Sequence, residues 1–436
     1  MPDFRTGAEA VVYRKVLVAT SVGTLIEVYD ILIYGYFATV LSQQFFPPGD
    51  PTAALLATFA IFAVGFFLRP FGAVIFGHVG DRFGRRTALA FSLLLMTLAT
   101  VAFGVLPTYA AVGLLAPVLL LLCRVLQGLS VSAEVPGATL LLLEHAPVNR
   151  RGLAVSINTV GTGLASVAAA TVSLILARLL SPDQLAAWGW RVAFLIAAPI
   201  GIVGLYVRTR LLDSPAFLAL GEAARQGRAP LVRAVSTARR GMLVLMVWFG
   251  AQSIAGYTLS VLMPSYLIRN VGLSPAEAYA TNLVAVLISV AFTLLGGFLV
   301  DQFPLRRVAI VVMAGTAVVA VPGFLVITVH RTLGAAVIGL VLYAIFLGPV
   351  YIVGAVLAMT LFSTGIRFTA LALPLNIGTA LFGGTAPYVS TWLVATTHSP
   401  LAPGFYVLAA AAAGTLAAIF GLRHRDVPMP QGGSRL

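Results

Sequence analysis

Apolar runs long enough to cross a bilayer recur from one end of this 436-residue chain to the other, and nothing else restricts its fold as tightly. A helical span needs about 20 apolar residues. Lipid offers no partner to backbone N–H or C=O groups, so each run must close its hydrogen bonds internally. Twelve runs are read, at about 16–41, 53–76, 87–106, 114–144, 152–180, 190–212, 241–268, 276–300, 308–328, 333–363, 367–395 and 401–421. Only 9% of the residues are charged, against about 25% in a soluble domain. The expected fold class is therefore an all-α membrane protein with twelve transmembrane helices in two six-helix halves.

The net charge of +13 would suggest a nucleic-acid partner in a soluble chain. Here the basic residues sit in short loops between apolar runs, so they read as topology and contact with the lipid bilayer, and no nucleic acid is implied. The single cysteine, Cys123, lies inside an apolar run, which leaves no disulfide framework and no cysteine metal site. The first run is too long for a removable signal peptide and has no small-residue cleavage site, so the chain is expected to keep it.

The longest polar stretch, Asp213 to Arg240, separates two groups of six runs. This gives a first half over 1–212, a linker over 213–240, a second half over 241–421 and a tail over 422–436. Most of the 27 Lys and Arg residues fall on the side shared by both termini, which predicts cytoplasmic termini in a cell (inner) membrane. On the opposite side, Pro47-Pro48, Pro107 and Trp188-Gly189-Trp190 read as short turns and an interfacial aromatic belt.

Between the second and third runs lies a dense polar stretch, Gly77-His78-Val79-Gly80-Asp81-Arg82-Phe83-Gly84-Arg85-Arg86. A topogenic basic loop needs arginines, but not Gly77, Asp81 and Gly84 at fixed spacing. The second half carries a counterpart between its eighth and ninth runs, where Gly297, Asp301, Arg306 and Arg307 keep that spacing while Gln302 and Leu305 depart from it. Two related halves around a central path are a common plan of secondary transporters. The pattern G-x-x-x-D-R-x-G-R-R resembles the signature loop of the major facilitator superfamily. That resemblance implies a conformational gate made by Gly77, Asp81, Arg82, Gly84, Arg85, Arg86 and Asp301, with Asp81 meeting the positive end of a second-half helix, the eleventh.

Further segments resemble the metabolite:proton symporter family of that superfamily. Gly23 to Asp30 is similar to its G-x-x-x-E-W-Y-D pattern, with Val28 for tryptophan, and Arg69-Pro70-Phe71-Gly72 matches its second span. Arg124-Val125-Leu126-Gln127-Gly128 and Glu134 match its fourth span, with Ser132-Ala133 for a glycine pair. Asn376-Ile377-Gly378 follows its eleventh, with Leu375 for tyrosine. The resemblance implies a substrate such as a di- or tricarboxylate, a keto acid, a shikimate-like acid, proline or betaine, carried together with protons. No cofactor, metal or catalytic constellation is read, so the chain is not expected to be an enzyme, and a monomer is expected.

Ionisable groups at bilayer depth are costly and mark function. Glu27, Asp30 and Tyr34 share one face of the first span, and Arg124, Gln127 and Glu134 form a stripe on the fourth. At ~1.5 Å per residue Asp30 lies about 21 Å from the inner face and Arg124 about 15 Å from the outer one, so in a core about 30 Å thick the two meet. Asp30 is expected to carry the proton, with Glu27 or Glu134 as alternatives, and Arg124 to contact a substrate carboxylate. Gln127, Tyr29, Tyr34, Asn158, Gln252, Tyr257 and Asn376 complete the expected substrate site. Fixed helix–helix contacts are the competing reading for each. A carboxylate importer leads. A zwitterion importer is the alternative, with Tyr29, Tyr34 and Tyr257 available for an aromatic cage. An exporter is less consistent, because Asn158 to Ala165 lacks the proline and the second glycine pair of the exporter pattern. A nontransporting sensor would want a signalling domain that the chain does not carry.

Overall fold

Two stretches, Ser181-Pro182-Asp183-Gln184 and Ser274-Pro275-Ala276-Glu277, carry the chemistry of a helix start. In the computed structural model each serine caps its helix, proline takes the first turn, and the Gln184 or Glu277 side chain returns to the cap N–H. The structure describes residues 25–83, 85–130, 151–211, 230–362 and 367–422, all helix or turn. Eight helices among them are long and apolar enough to cross a membrane: Pro51–Phe76, Gly152–Leu179, Pro182–Tyr206, Ala238–Val271, Pro275–Gln302, Leu305–His330, Leu333–Leu357 and Ala402–Gly421. The first span is Leu25–Tyr36 with Ala38–Phe45, bent by 67° between them. Ala90–Val105 and Leu115–Ser130 form the third and fourth. The eleventh is built of Arg367–Gly378, Thr379–Gly383 and Ala386–Thr397. Twelve spans result among the described residues.

Packing repeats with an offset of six. The second span lies on the fourth, the third on the fourth and sixth; likewise the eighth lies on the tenth, and the ninth on the tenth and twelfth. The halves meet where the fifth span lies along the eighth and the second along the eleventh, which is the same pair under that offset. Lipid is as apolar as a leucine side chain, so close approach rather than apolar burial holds such helices together. At the crossing of the second and fourth spans, a Cβ on Gly128 would stand 2.3 Å from the Gly65 carbonyl oxygen, so only glycine fits there.

Several boundaries differ from expectation. The stretch 77–86 is not a loop: helix runs through Phe83 and resumes at Arg85, and its arginines are good helix formers. Trp188-Gly189-Trp190 is not a turn but lies inside the sixth span, where the π-helical segment Leu185–Gly189 passes into the α-helix Trp190–Leu195, because the capping box at Ser181 starts the helix earlier. The seventh helix begins at Pro230, inside the stretch read as linker, with non-helical geometry at Ala238 (φ −122°, ψ 15°). Arg240 and Arg306 donate to the carbonyls of Phe420 and Ile419, tying down the end of the twelfth span.

Candidate functional site

A cavity of about 260 Å³ opens between the two halves. The first span lines it with Val28, Ile31 and Leu32, the fifth with Thr159 and Thr162, the seventh with Gln252 and Tyr257, the tenth with Tyr351, and the eleventh with Thr379. Among the described residues, no lining residue is ionisable as an acid or a base, tyrosine aside. The Gln252 Oε1 atom is buried with no hydrogen-bond partner. Two π-helical segments border the cavity, Thr258–Leu262 directly after Tyr257 and Thr379–Gly383. Such segments widen a helix and are frequent at functional sites. Here they bring the hydroxyls of Ser253 and Thr379 to 3.3 Å.

Asp30 and Arg124, set at one depth by register, are in contact. Arg124 Nη1 donates to Asp30 Oδ2 at 3.0 Å and to Gln127 Oε1 at 2.9 Å. Gln127 Nε2 donates to Asp30 Oδ1 at 2.6 Å, and the Thr100 hydroxyl donates to the same oxygen at 2.9 Å. The guanidinium carbon stands 4.0 Å from the centre of the Tyr34 ring and 5.4 Å from those of Phe62 and Phe103. Asp30 is 1% exposed and Arg124 4%. This cluster faces the third and fourth spans and does not line the cavity. The hydroxyls of Tyr29 and Tyr34 donate to the Ala193 and Thr58 carbonyls, so neither is presented to the cavity. Thr100 was not singled out in the sequence: one hydroxyl in an apolar run carries no periodic signal, and only its depth could have marked it.

A second ion pair lies nearby. Arg69 Nη2 stands 3.5 Å from Glu27 Oε1, with both side chains 16% exposed, and the guanidinium carbon lies 4.2 Å from the centre of the Phe66 ring. Phe66 meets the cavity-lining Tyr257 ring edge-to-face at 5.3 Å. Asn376 donates to the Ala372 carbonyl of its own helix and does not line the cavity. Glu134 and Gly84 lie outside the described residues, and so do the side chains of Asp81, Arg85, Arg86 and Asn158 and the surroundings of Gly77. Arg82 is exposed, its guanidinium 5.4 Å from the Phe83 ring.

Contacts join the halves on both sides of the cavity. On the side of the 77–86 stretch, Asp301 of the second half accepts from the backbone N–H groups of Gly152 at 2.7 Å and Leu153 at 3.0 Å, at the start of the fifth span. Gly297 and Gly152 permit this approach, since a Cβ on Gly152 would stand 2.4 Å from the Gly297 carbonyl oxygen. The relation expected of Asp81, a carboxylate of one half on the positive end of a helix of the other, is made here by its repeat counterpart. On the far side, Tyr36 donates to Asn282 Oδ1, Asn282 Nδ2 donates to the Leu259 carbonyl at 2.6 Å, and Tyr279 donates to the Tyr36 carbonyl at 2.9 Å. A carboxylate at a helix start contributes about 0.3–2 kcal/mol. Asp301→Asn is therefore expected to raise the open population on that side by about 2- to 30-fold. In a Cys123→Ala background, a thiol introduced at Ser156, fully buried beside Gly297, should react faster with a maleimide when Asp301 is replaced. An unchanged rate would remove Asp301 from the closed contact.

The family model described as Major Facilitator Superfamily matches residues 20–373. The proline/betaine transporter of Salmonella typhimurium (strain LT2) is 33% identical over 416 residues, covering 93% of this chain and 83% of that one. The glycine betaine/proline/ectoine/pipecolic acid transporter OusA of Dickeya dadantii (strain 3937) is 33% identical over 426 residues, covering 95% and 84%. Among solved structures, a D-xylose-proton symporter superposes with a TM-score of 0.74 at 20% identity, covering 97% of this chain and 99% of that one.

Proposed function

Because the chain belongs to the Major Facilitator Superfamily of membrane transporters, among relatives named for proline and betaine, we propose that it is a proton-driven symporter importing a small zwitterion of the proline or betaine kind. The observation that carries this reading is the cavity between the halves, which among the described residues is lined by hydroxyls, an amide and tyrosine rings and by no ionised side chain. A di- or tricarboxylate would leave several charges there without a counter-charge, at a cost of several kcal/mol or more. A zwitterion brings no net charge, and the rings of Tyr257 and Tyr351 offer π-faces to a substituted ammonium. The carboxylate reading rested on Arg124, and it gives way because that guanidinium, sealed beside Asp30, Gln127 and three rings, does not line the cavity, so its unpartnered Nε and Nη2 atoms meet no substrate there.

Alternating access follows from the two sets of contacts between halves, Asp301 on one side and Tyr36 with Asn282 on the other, released in turn. Proton coupling is assigned to Asp30. Its protonation removes the charge that Arg124 is paired with, on the same span whose Val28, Ile31 and Leu32 line the cavity. The protein is assigned to the bacterial inner membrane with both termini in the cytoplasm, as halves 1–212 and 241–421 with the stretch 213–240, into which the seventh helix reaches back to Pro230, between them, and a tail 422–436.

Purified protein in proteoliposomes under an imposed proton gradient tests the reading. Proline and glycine betaine should accumulate, and a protonophore should collapse the accumulation. Accumulation of citrate or α-ketoglutarate in their place would overturn the substrate class. Accumulation indifferent to the protonophore would overturn the coupling.

A further inference from the structure

Among the described residues the spans of the first half hold two ion pairs, and they are built differently. Asp30 and Arg124 are sealed, in contact at 3.0 Å, and tied to Gln127 and Thr100. Glu27 and Arg69 stand 3.5 Å apart and remain partly accessible. An ion pair that stays partly accessible at bilayer depth is a functional arrangement by default. It lies next to the cavity without lining it, one aromatic ring away from the lining residue Tyr257. Phe66 joins the two regions, with Arg69 over its face and Tyr257 against it.

We infer that Glu27 and Arg69 read the substrate's two charges, Glu27 taking the ammonium end and Arg69 the carboxylate, while the remainder of the substrate fills the adjoining uncharged cavity. The inference rests on the zwitterion reading above and assigns the residues that enforce it. Opposite charges separated by one carbon suit an ion pair that must open only slightly to admit them. The guanidinium, stacked on Phe66, keeps its edge N–H groups for two parallel bonds to a carboxylate. Selection against net charge comes without further parts: an anion that satisfies Arg69 also faces Glu27, and a cation that satisfies Glu27 also faces Arg69.

The test uses the full chain in lipid nanodiscs and calorimetric binding of proline and two analogues, cyclopentanecarboxylate, which lacks the ammonium, and pyrrolidine, which lacks the carboxylate. Wild type should bind proline and reject both analogues. Glu27→Gln should weaken proline binding by about tenfold or more and admit cyclopentanecarboxylate; Arg69→Gln should weaken it similarly and admit pyrrolidine. The double variant E27Q/R69Q leaves no single charge stranded and decides the matter if a single variant fails to fold. It should fold, bind proline about tenfold or more weakly, and lose the discrimination against both analogues. Proline binding at wild-type strength in the variants, or weakened binding with both analogues still rejected, would reduce the pair to a structural contact. A wild-type protein that binds no zwitterion would instead overturn the substrate reading on which the inference rests.

Discussion

Vesicles carrying Asp30→Asn are expected to exchange substrate across the bilayer but not to concentrate it. Asparagine has the shape of a protonated aspartate and still offers an oxygen to the Thr100 hydroxyl and to Gln127. It holds no exchangeable proton, so Arg124 faces one unchanging neutral partner through the whole cycle. One coupled proton and one pH unit sustain about tenfold accumulation, since each unit is worth about 1.36 kcal/mol. The variant should bring that ratio to about one while counterflow of labelled against unlabelled substrate persists. Acid-driven accumulation in Asp30→Asn would pass the role to Glu134 or Glu27.

Arg124→Met should be the most damaging single change to stability. It strands the Asp30 carboxylate, 1% exposed, with hydrogen bonds from Thr100 and Gln127 but no counter-charge. Breaking a buried pair from one side costs about 3–5 kcal/mol, whereas replacing both partners is often neutral. Asp30→Asn/Arg124→Met should therefore recover most of the loss, apart from the guanidinium's contacts with the Tyr34, Phe62 and Phe103 rings. Unfolding of the four proteins in one detergent closes a double-mutant cycle. If Arg124→Met unfolds with wild type, the contact with Asp30 is not between charges.

The bilayer made much of this architecture legible. Length and hydropathy are enough to mark spans when lipid forbids unpaired backbone, and the spacing of Gly297, Asp301 and Arg306 exposed the repeat that packing then followed. The meeting of Asp30 and Arg124 needed only helical rise and opposite directions of travel. What periodicity withholds is which neighbour a face meets. Glu27, Asp30 and Tyr34 share a face of the first span, and a charged stripe invites the assumption that it lines the path. Instead Asp30 and Tyr34 turn toward the third and fourth spans, and apolar Val28, Ile31 and Leu32 meet the cavity. The cavity's hydroxyls were equally hard to read, because Ser253, Ser289, Thr293 and Thr379 carry no charge and sit in apolar runs. Nor did a proline announce the 67° bend beside Phe37, where Gly35 lets the first span come within 2.8 Å of Val261, as measured from the Cβ it lacks.

Those lining hydroxyls have a consequence for how the protein can evolve. Thr159 donates to Val155, Ser260 to Gly256 and Thr293 to Ser289, each a carbonyl one turn back in its own helix. None of these three bonds ties one helix to another. Exchanging such a side chain for alanine, valine or cysteine leaves the crossings of the bundle untouched. The diet of a lineage can then drift among compounds of similar size by single substitutions, with little toll on assembly. Gly128, Gly152 and Gly297, packed against backbone, have no such freedom and hold the frame while the lining changes.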